Sequence, residues 1–245
     1  MTGFQIPKHV HVGDTSHGGT VLFNTRSGQW YAMNGTARTL WEEWHRTGDF
    51  DFAVRTVADR FPRVRYDRVR LDAERVAGDL VERGLVNPCG ELAPAGPDLR
   101  LEDAKSTSGE PVFAKPAGTV RRSSAAGLLG LLLALCLLRL PFRVSVHTVD
   151  VLKQRRGRRP ATMHQAEVML AAVRRAGNRY PGRVACLEDS LGTVLGLALA
   201  GLTADWCLGS AGDPYRFHAW VEVLGKTVTR PEDDDRVHFQ RVLVL

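Results

Sequence analysis

The sequence predicts an α+β protein of two modules: a small winged-helix-like unit, with a three-stranded sheet and three helices, then a larger unit of apolar helices followed by strands. Three observations predict it. Short β-rich runs separated by glycine-bearing turns precede three segments with helical periodicity, all before Pro88. Residues 88–120 then carry Pro88, Pro94, Pro97, Pro111 and Pro116 among glycines and serines, without either period, and read as a linker. Beyond it, leucine- and alanine-rich segments of helical length lead into alternating runs that suit strands. The expected boundaries are 1–87, 88–120 and 121–245, and 245 residues are enough for two cores.

The elements follow in order. Strands are expected at Lys8 to Val12, Thr20 to Asn24 and Gln29 to Met33, with turns at His17-Gly18-Gly19 and Arg26-Ser27-Gly28. Asn34 is placed to N-cap a helix bearing Ala37, Leu40, Trp41 and Trp44, which Gly48-Asp49 ends. The next helix bears Phe52, Val54, Val57, Ala58 and Phe61, and Pro62 stops it. A third, from Asp67 to Arg83, presents Val69, Val76, Leu80 and Val81 before Gly84. In the second module the charge-free run from Ser123 to Leu138 is expected as a buried helix, with Leu132 in the core. A basic stretch, Arg155 to Arg159, precedes a helix from Thr162 to Asn178. Pro181-Gly182 introduces a helix from Cys186 to Ala200 that Gly201 ends. Strands follow at Thr203 to Leu208, Phe217 to Val223 and Lys226 to Thr229, the last two joined by a Leu224-Gly225 hairpin turn.

Composition excludes several classes. Apolar content of 44% with 24% charged residues argues against global disorder. The run from Ser123 to Leu138 falls short of the roughly 20 residues that span a bilayer. Arginines on both sides of it leave only weak surface association open, so membrane contact is not expected. Cys89, Cys136, Cys186 and Cys207 form no CxxC pair, and the start of the chain has no signal-like apolar stretch, so free thiols in a reducing cytoplasm are expected. His9, His11 and His17 have no cysteine or carboxylate to complete a ligand set, so neither metal nor cofactor is implied.

Two residues carry the chemistry. Cys186 opens an apolar helix in Cys186-Leu187-Glu188-Asp189-Ser190-Leu191, and a helix N-terminus favours a thiolate through the positive end of its dipole. His218 opens a strand in His218-Ala219-Trp220-Val221-Glu222-Val223 and can reach the thiol only through the fold, as cysteine-histidine enzymes arrange their partners. Read separately, each residue also suits a plain core position.

These two runs are similar to the transglutaminase-like (papain-like) cysteine peptidases of lasso-peptide biosynthesis, the B proteins. The front unit resembles the PqqD-like precursor-recognition element that one branch of that family carries ahead of the peptidase. The resemblance implies a leader peptidase that binds the leader of a ribosomally made precursor and cuts it from the core peptide. An ATP-dependent macrolactam cyclase would then close the core. Cys186 would attack the scissile carbonyl, and His218 would move the proton. The family places an acid or amide about 12 positions after the histidine. Here that neighbourhood reads Thr229-Arg230-Pro231, so either Glu232 or Asp233 serves as third member, or the site works as a dyad.

The resemblance also implies leader binding as an added strand between the third strand and the third helix. On this chain that groove would use Trp30, Tyr31, Met33, Arg68, Asp72, Arg75 and Val76. Two alternatives stand beside this reading. One is a catalytically weak or inactive escort that presents the precursor to the cyclase. The other is a winged-helix nucleic-acid binder, suggested by the +6 charge and the Arg155 to Arg159 cluster, and opposed by Asp67, Asp72, Glu74 and Asp79 on the third helix.

Overall fold

Three strands in the front module present one face to its own helices and the other to the rear module, so a single small sheet belongs to two cores. The structure, a computed structural model, describes residues 3–14, 19–88, 120–156, 159–212, 215–228 and 239–245. The short β1 (Phe4–Gln5) is followed by β2 (Val10–Asp14), β3 (Thr20–Asn24) and β4 (Gln29–Met33), an antiparallel meander in that order. Helices α1 (Gly35–Thr47), α2 (Phe50–Arg60) and α3 (Tyr66–Glu82) come next. β5 (Asn87–Pro88) then returns to pair with β1.

Local chemistry sets these boundaries. The Asn34 side chain accepts from Ala37 N at 2.9 Å and caps α1, and Gly48, at φ 68°, ends it. Asp49 accepts from Phe52 N at 3.1 Å to begin α2. Gly84, at φ 64°, closes α3, with Leu85 N bonded to Leu80 O at 2.9 Å. β2 begins two residues later than expected, because Val10 N bonds back to Pro7 O in a turn.

Alternation divides the sheet. Leu22 pairs with Tyr31, and Leu22 and Met33 pack among Leu40, Trp44, Phe50, Val54, Ala77 and Leu80. Phe23 pairs with Trp30 on the reverse face and packs into the core of the rear module.

The rear module begins with α4 (Val120–Leu137), α5 (Phe142–Arg156) and β6 (Arg159–Pro160). α6 (Met163–Gly177) and α7 (Cys186–Leu199) follow, then β7 (Leu202–Thr203), which pairs with β6 in parallel. β8 (Asp205–Ala211), β9 (Arg216–Val223), β10 (Lys226–Thr227) and β11 (Gln240–Val244) form an antiparallel sheet in the order β10-β9-β8-β11. α7 is central, packed between α4, α6 and the sheet. A Cβ on Gly130 would run into the Gly192 carbonyl, so α4 and α7 meet backbone to backbone.

Several expectations need correction. Among the described residues of the leucine helix, Gly127, Gly130, Leu131 and Ala134 are buried and Leu132 is exposed, because the glycine side of α4 is the one that faces α7. Residues 142–156 form a helix where none was expected, and β11 extends the sheet beyond the three strands expected. The linker lies outside the described residues apart from its two ends.

The modules meet through aromatic rings. Trp30 stacks on Phe217 at 4.6 Å and 22°, and Phe23 sets its ring edge-on to Phe142 at 5.4 Å. Tyr215 Oη donates to Met33 O at 2.9 Å, tying the end of β4 to the start of β9.

Candidate active site and front groove

Cys186 is the first residue of α7, half-buried and packed against the rear core. The first turn is tied by Glu188, whose carboxylate accepts from Ala185 N at 2.9 Å, and by Asp189, which pairs with Arg174 at 3.3 Å. Both acids also suit the positive end of the helix dipole. Trp206 Nε1 of β8 donates to Ser190 Oγ at 3.0 Å and pins the helix one turn beyond Cys186. The chain leaves the C-terminus of α7 through Gly201, at φ 77°, and enters β8 by way of β7, so α7 and β8 run in opposite directions. Cys186 therefore lies toward the end of the sheet where β8 finishes and β9 begins. That is the end that holds His218.

Strand register fixes which way His218 points. Gly209 pairs with His218, Cys207 with Trp220, and Asp205 with Glu222, so these side chains share one face. Trp206 pairs with Val221 and Leu208 with Ala219 on the other face, and this second face forms the core with Leu191, Val194 and Leu195 of α7. Cys186 and His218 are thus brought toward the same end of the sheet, with His218 on the face that carries Trp220 and Glu222. β10 pairs with the far part of β9, Lys226 with Val223 and Thr227 with Glu222, and Val228 N bonds to Val221 O at 2.8 Å.

The His218 ring is held in an aromatic cluster. Trp220 lies parallel to it at 6.0 Å and 11°, and Phe239 packs at 4.9 Å. Trp220 Nε1 donates to the buried Glu222 carboxylate at 2.8 Å, and Arg241 completes the pair at 3.1 Å. Burial, and then the Glu222 charge, push the Cys207 thiol well above its usual range, which makes Cys207 a core residue rather than a second nucleophile. Sequence reasoning missed this Glu222 network, although the alternation of His218, Trp220 and Glu222 carried the signal. Glu232 and Asp233 lie outside the described residues.

In the front module the structure brings together three of the seven groove candidates. Tyr31 of β4 and Arg75 and Val76 of α3 line an open groove with Gly78, Asp79 and Glu82. Burial, then the neighbouring Asp79, raise the Tyr31 phenol, and Arg83 sits over its ring at 5.3 Å. Arg68 and Asp72 form an exposed pair at 3.2 Å one turn or more away, with Arg75 to Asp72 at 3.6 Å. Two candidates are corrected. Met33 is buried in the front core, and Trp30 points to the opposite face of the sheet, where it packs on Phe217.

Arginines on α3 are matched by acids: Arg70 pairs with Asp51 and Glu74, and Arg83 with Asp79. A helix so neutralised is a poor phosphate reader. No group of three metal-binding side chains occurs among the described residues.

Comparison with known families agrees with this division. Residues 130–244 match the transglutaminase-like superfamily, and residues 19–86 match the coenzyme PQQ synthesis protein D (PqqD) family. The expected fusion, with the recognition element ahead of the transglutaminase-like domain, is borne out. No curated protein and no solved structure matches the chain.

Proposed function

Proceeding from a chain that joins a PqqD-like element to a transglutaminase-like domain, we propose that it is a cytoplasmic leader peptidase of lasso-peptide biosynthesis, acting on a ribosomally made precursor. The observation that carries the proposal is the junction of the two modules. The strand that would receive a leader, β4, is bonded through Met33 O to Tyr215, three residues before His218. A leader bound there lies on the same body as the candidate nucleophile. The leader would add to the β4 edge over Tyr31, Arg75 and Val76, with main-chain bonds giving affinity and the α3 side chains giving selectivity. Arg68 and Asp72 would meet leader residues further along α3.

The chemistry is thiolate acyl transfer. Cys186 Sγ attacks the scissile carbonyl, and unpartnered N–H groups of the first turn of α7 stabilise the oxyanion. The carbon–nitrogen bond breaks as the imidazolium of His218 protonates the leaving amine, which becomes the new N-terminus of the core peptide. Water then hydrolyses the thioester with His218 as base. Glu232 or Asp233 would orient the ring, and an ATP-dependent macrolactam cyclase would take the freed core.

Mass spectrometry of candidate precursors incubated with wild-type and Cys186→Ala protein, with and without the cyclase, tests the proposal. Leader and core fragments are expected only with the wild type. Equal cleavage by Cys186→Ala, or none by the wild type with the cyclase present, would overturn it.

Thr229-Arg230-Pro231, standing where the family has its acid or amide, supports a second reading, an escort that binds the precursor for the cyclase without cutting it. Iodoacetamide separates the two. A peptidase labels Cys186 faster than the exposed Cys136 and loses that advantage in His218→Ala, whereas an escort labels both alike.

A further inference from the structure

The apolar face of α4 is part of neither the leader groove nor the candidate active site. Leu128, Leu129, Leu132 and Leu133 recur at helical spacing on one side of α4 and are 42% to 53% exposed. Cys136 and Leu140 extend the exposed row toward Arg139. The opposite side of the helix is fixed: Gly127 meets Ala172 of α6, and Gly130 meets Gly192 of α7, with Leu131 and Ala134 buried between. The helix cannot turn its leucines inward without losing that contact, so the row stands as a rigid ridge.

Charge distinguishes the possible occupants. From Pro111 to Val149 the sequence holds no Asp or Glu, while Arg121 and Arg122 precede the leucines and Arg139 and Arg143 follow them. A strip of leucine followed by Arg139 and Arg143, in a stretch of sequence without acids, complements hydrocarbon beneath anionic headgroups. A protein partner is a poorer match, because the ridge lacks the Trp and Tyr anchors, and the hydrogen-bonding groups, on which specific interfaces depend. No helix among the described residues is long and apolar enough to cross a membrane, so the contact is one of surface.

We propose that the α4 ridge docks the chain on an anionic membrane surface, seating Leu128, Leu129, Leu132 and Leu133 at the boundary between headgroups and acyl chains. This would hold leader removal beside the membrane, and it stands or falls independently of the peptidase reading.

Flotation of the full chain with phosphatidylcholine vesicles, with and without phosphatidylglycerol, is the test. Wild-type protein is expected to float with the phosphatidylglycerol vesicles, and less of it at high salt. Leu129→Ser combined with Leu133→Ser should lower the partition about tenfold or more without lowering the melting temperature, since both side chains already face solvent. Arg139→Glu should weaken binding to anionic vesicles alone, and it serves as the reporter if the double variant melts early. The proposal is overturned if the wild type floats with neither vesicle or if the double variant floats like the wild type. It is equally overturned if the wild type is a dimer in solution that the double variant splits, which would give the ridge to a second copy. Capture of the purified cyclase through the ridge, without flotation, would give it to that protein instead.

Discussion

Glu222 shows how one side chain can hold a candidate site without touching substrate. It is 4% exposed, yet both of its oxygens are matched, by Trp220 Nε1 and by Arg241. Replacing it with alanine takes from Trp220 its acceptor and from Arg241 this counter-charge. Arg241 keeps partial access to water, so the expected cost is about 3 kcal/mol, the lower end for a broken buried pair. Glu222→Gln keeps the shape and an acceptor for Trp220, and should cost about 1 kcal/mol. Urea unfolding of the two variants checks this, and equal costs would show that charge plays no part. Leu224 makes the opposite case. It sits at φ 52° beside Gly225 at φ 75°, both in the left-handed region of a type I′ hairpin turn, with its side chain 80% exposed. Leu224→Asn should stabilise the chain by about 0.5 to 1 kcal/mol, because asparagine tolerates that conformation and no packing is lost. A lower denaturation midpoint in Leu224→Asn would contradict the turn assignment.

At the scale of elements, close approach governs α4 and α7. Gly130→Ala places a methyl group against the Gly192 carbonyl, a backbone atom that cannot swing aside, so the helices must separate at a cost of about 1 to 3 kcal/mol. Thermal melts should show the loss, and Gly84→Ala is a useful contrast, strained by its φ of 64° but with open space around it. The histidines of the front module give a pH dependence. Burial is the first cause that lowers His9, His11 and His45. A histidine with a depressed folded value takes its proton first in the unfolded state. Its contribution to stability is therefore present above the ordinary histidine range and is lost as pH falls through that range toward the folded value. Melting temperature should fall between about pH 7.5 and pH 5, and less so in His45→Phe, which keeps the ring stacked on Trp41. Elements set by neighbours in sequence were the legible ones: Asn34, Gly48, Asp49, Gly84 and the Leu224-Gly225 turn each act within a few residues. β11 was not legible, because its partner β8 lies some 30 positions earlier and nothing local requires the pairing. The site divides the same way. Helix start and strand start placed Cys186 and His218, but the side of the sheet on which α7 docks is a tertiary choice, and so is the side of β4 that takes the helices. That choice separated Tyr31 from Trp30.

Across the whole molecule, the shared sheet decides whether the two modules unfold separately. Phe23 is buried in the rear core although it belongs to a front strand, and Trp30 bridges it to Phe217 with ring separations of 4.3 and 4.6 Å. Gly28 lies against Phe142, and Gly13 against Val242 of β11, so the contact extends along the sheet rather than resting on one ring. Removing the rear module would expose this aromatic face to water, and losing its burial costs more than a domain of this size can easily spare. One cooperative transition is therefore expected for the full chain by calorimetry. Trp30→Ala should remove about 2 to 3 kcal/mol, below the full core value because the indole is only half-buried, and should begin to split the transition in two. It should leave leader affinity nearly unchanged, since Trp30 faces away from the groove, whereas Arg75→Glu should weaken leader binding and leave the melt alone. Both outcomes come from one pair of measurements, calorimetry and titration with a labelled leader peptide. If Trp30→Ala abolished leader binding while melting as a single unit, the recognition surface would have to lie on the face that the fold gives to the module junction.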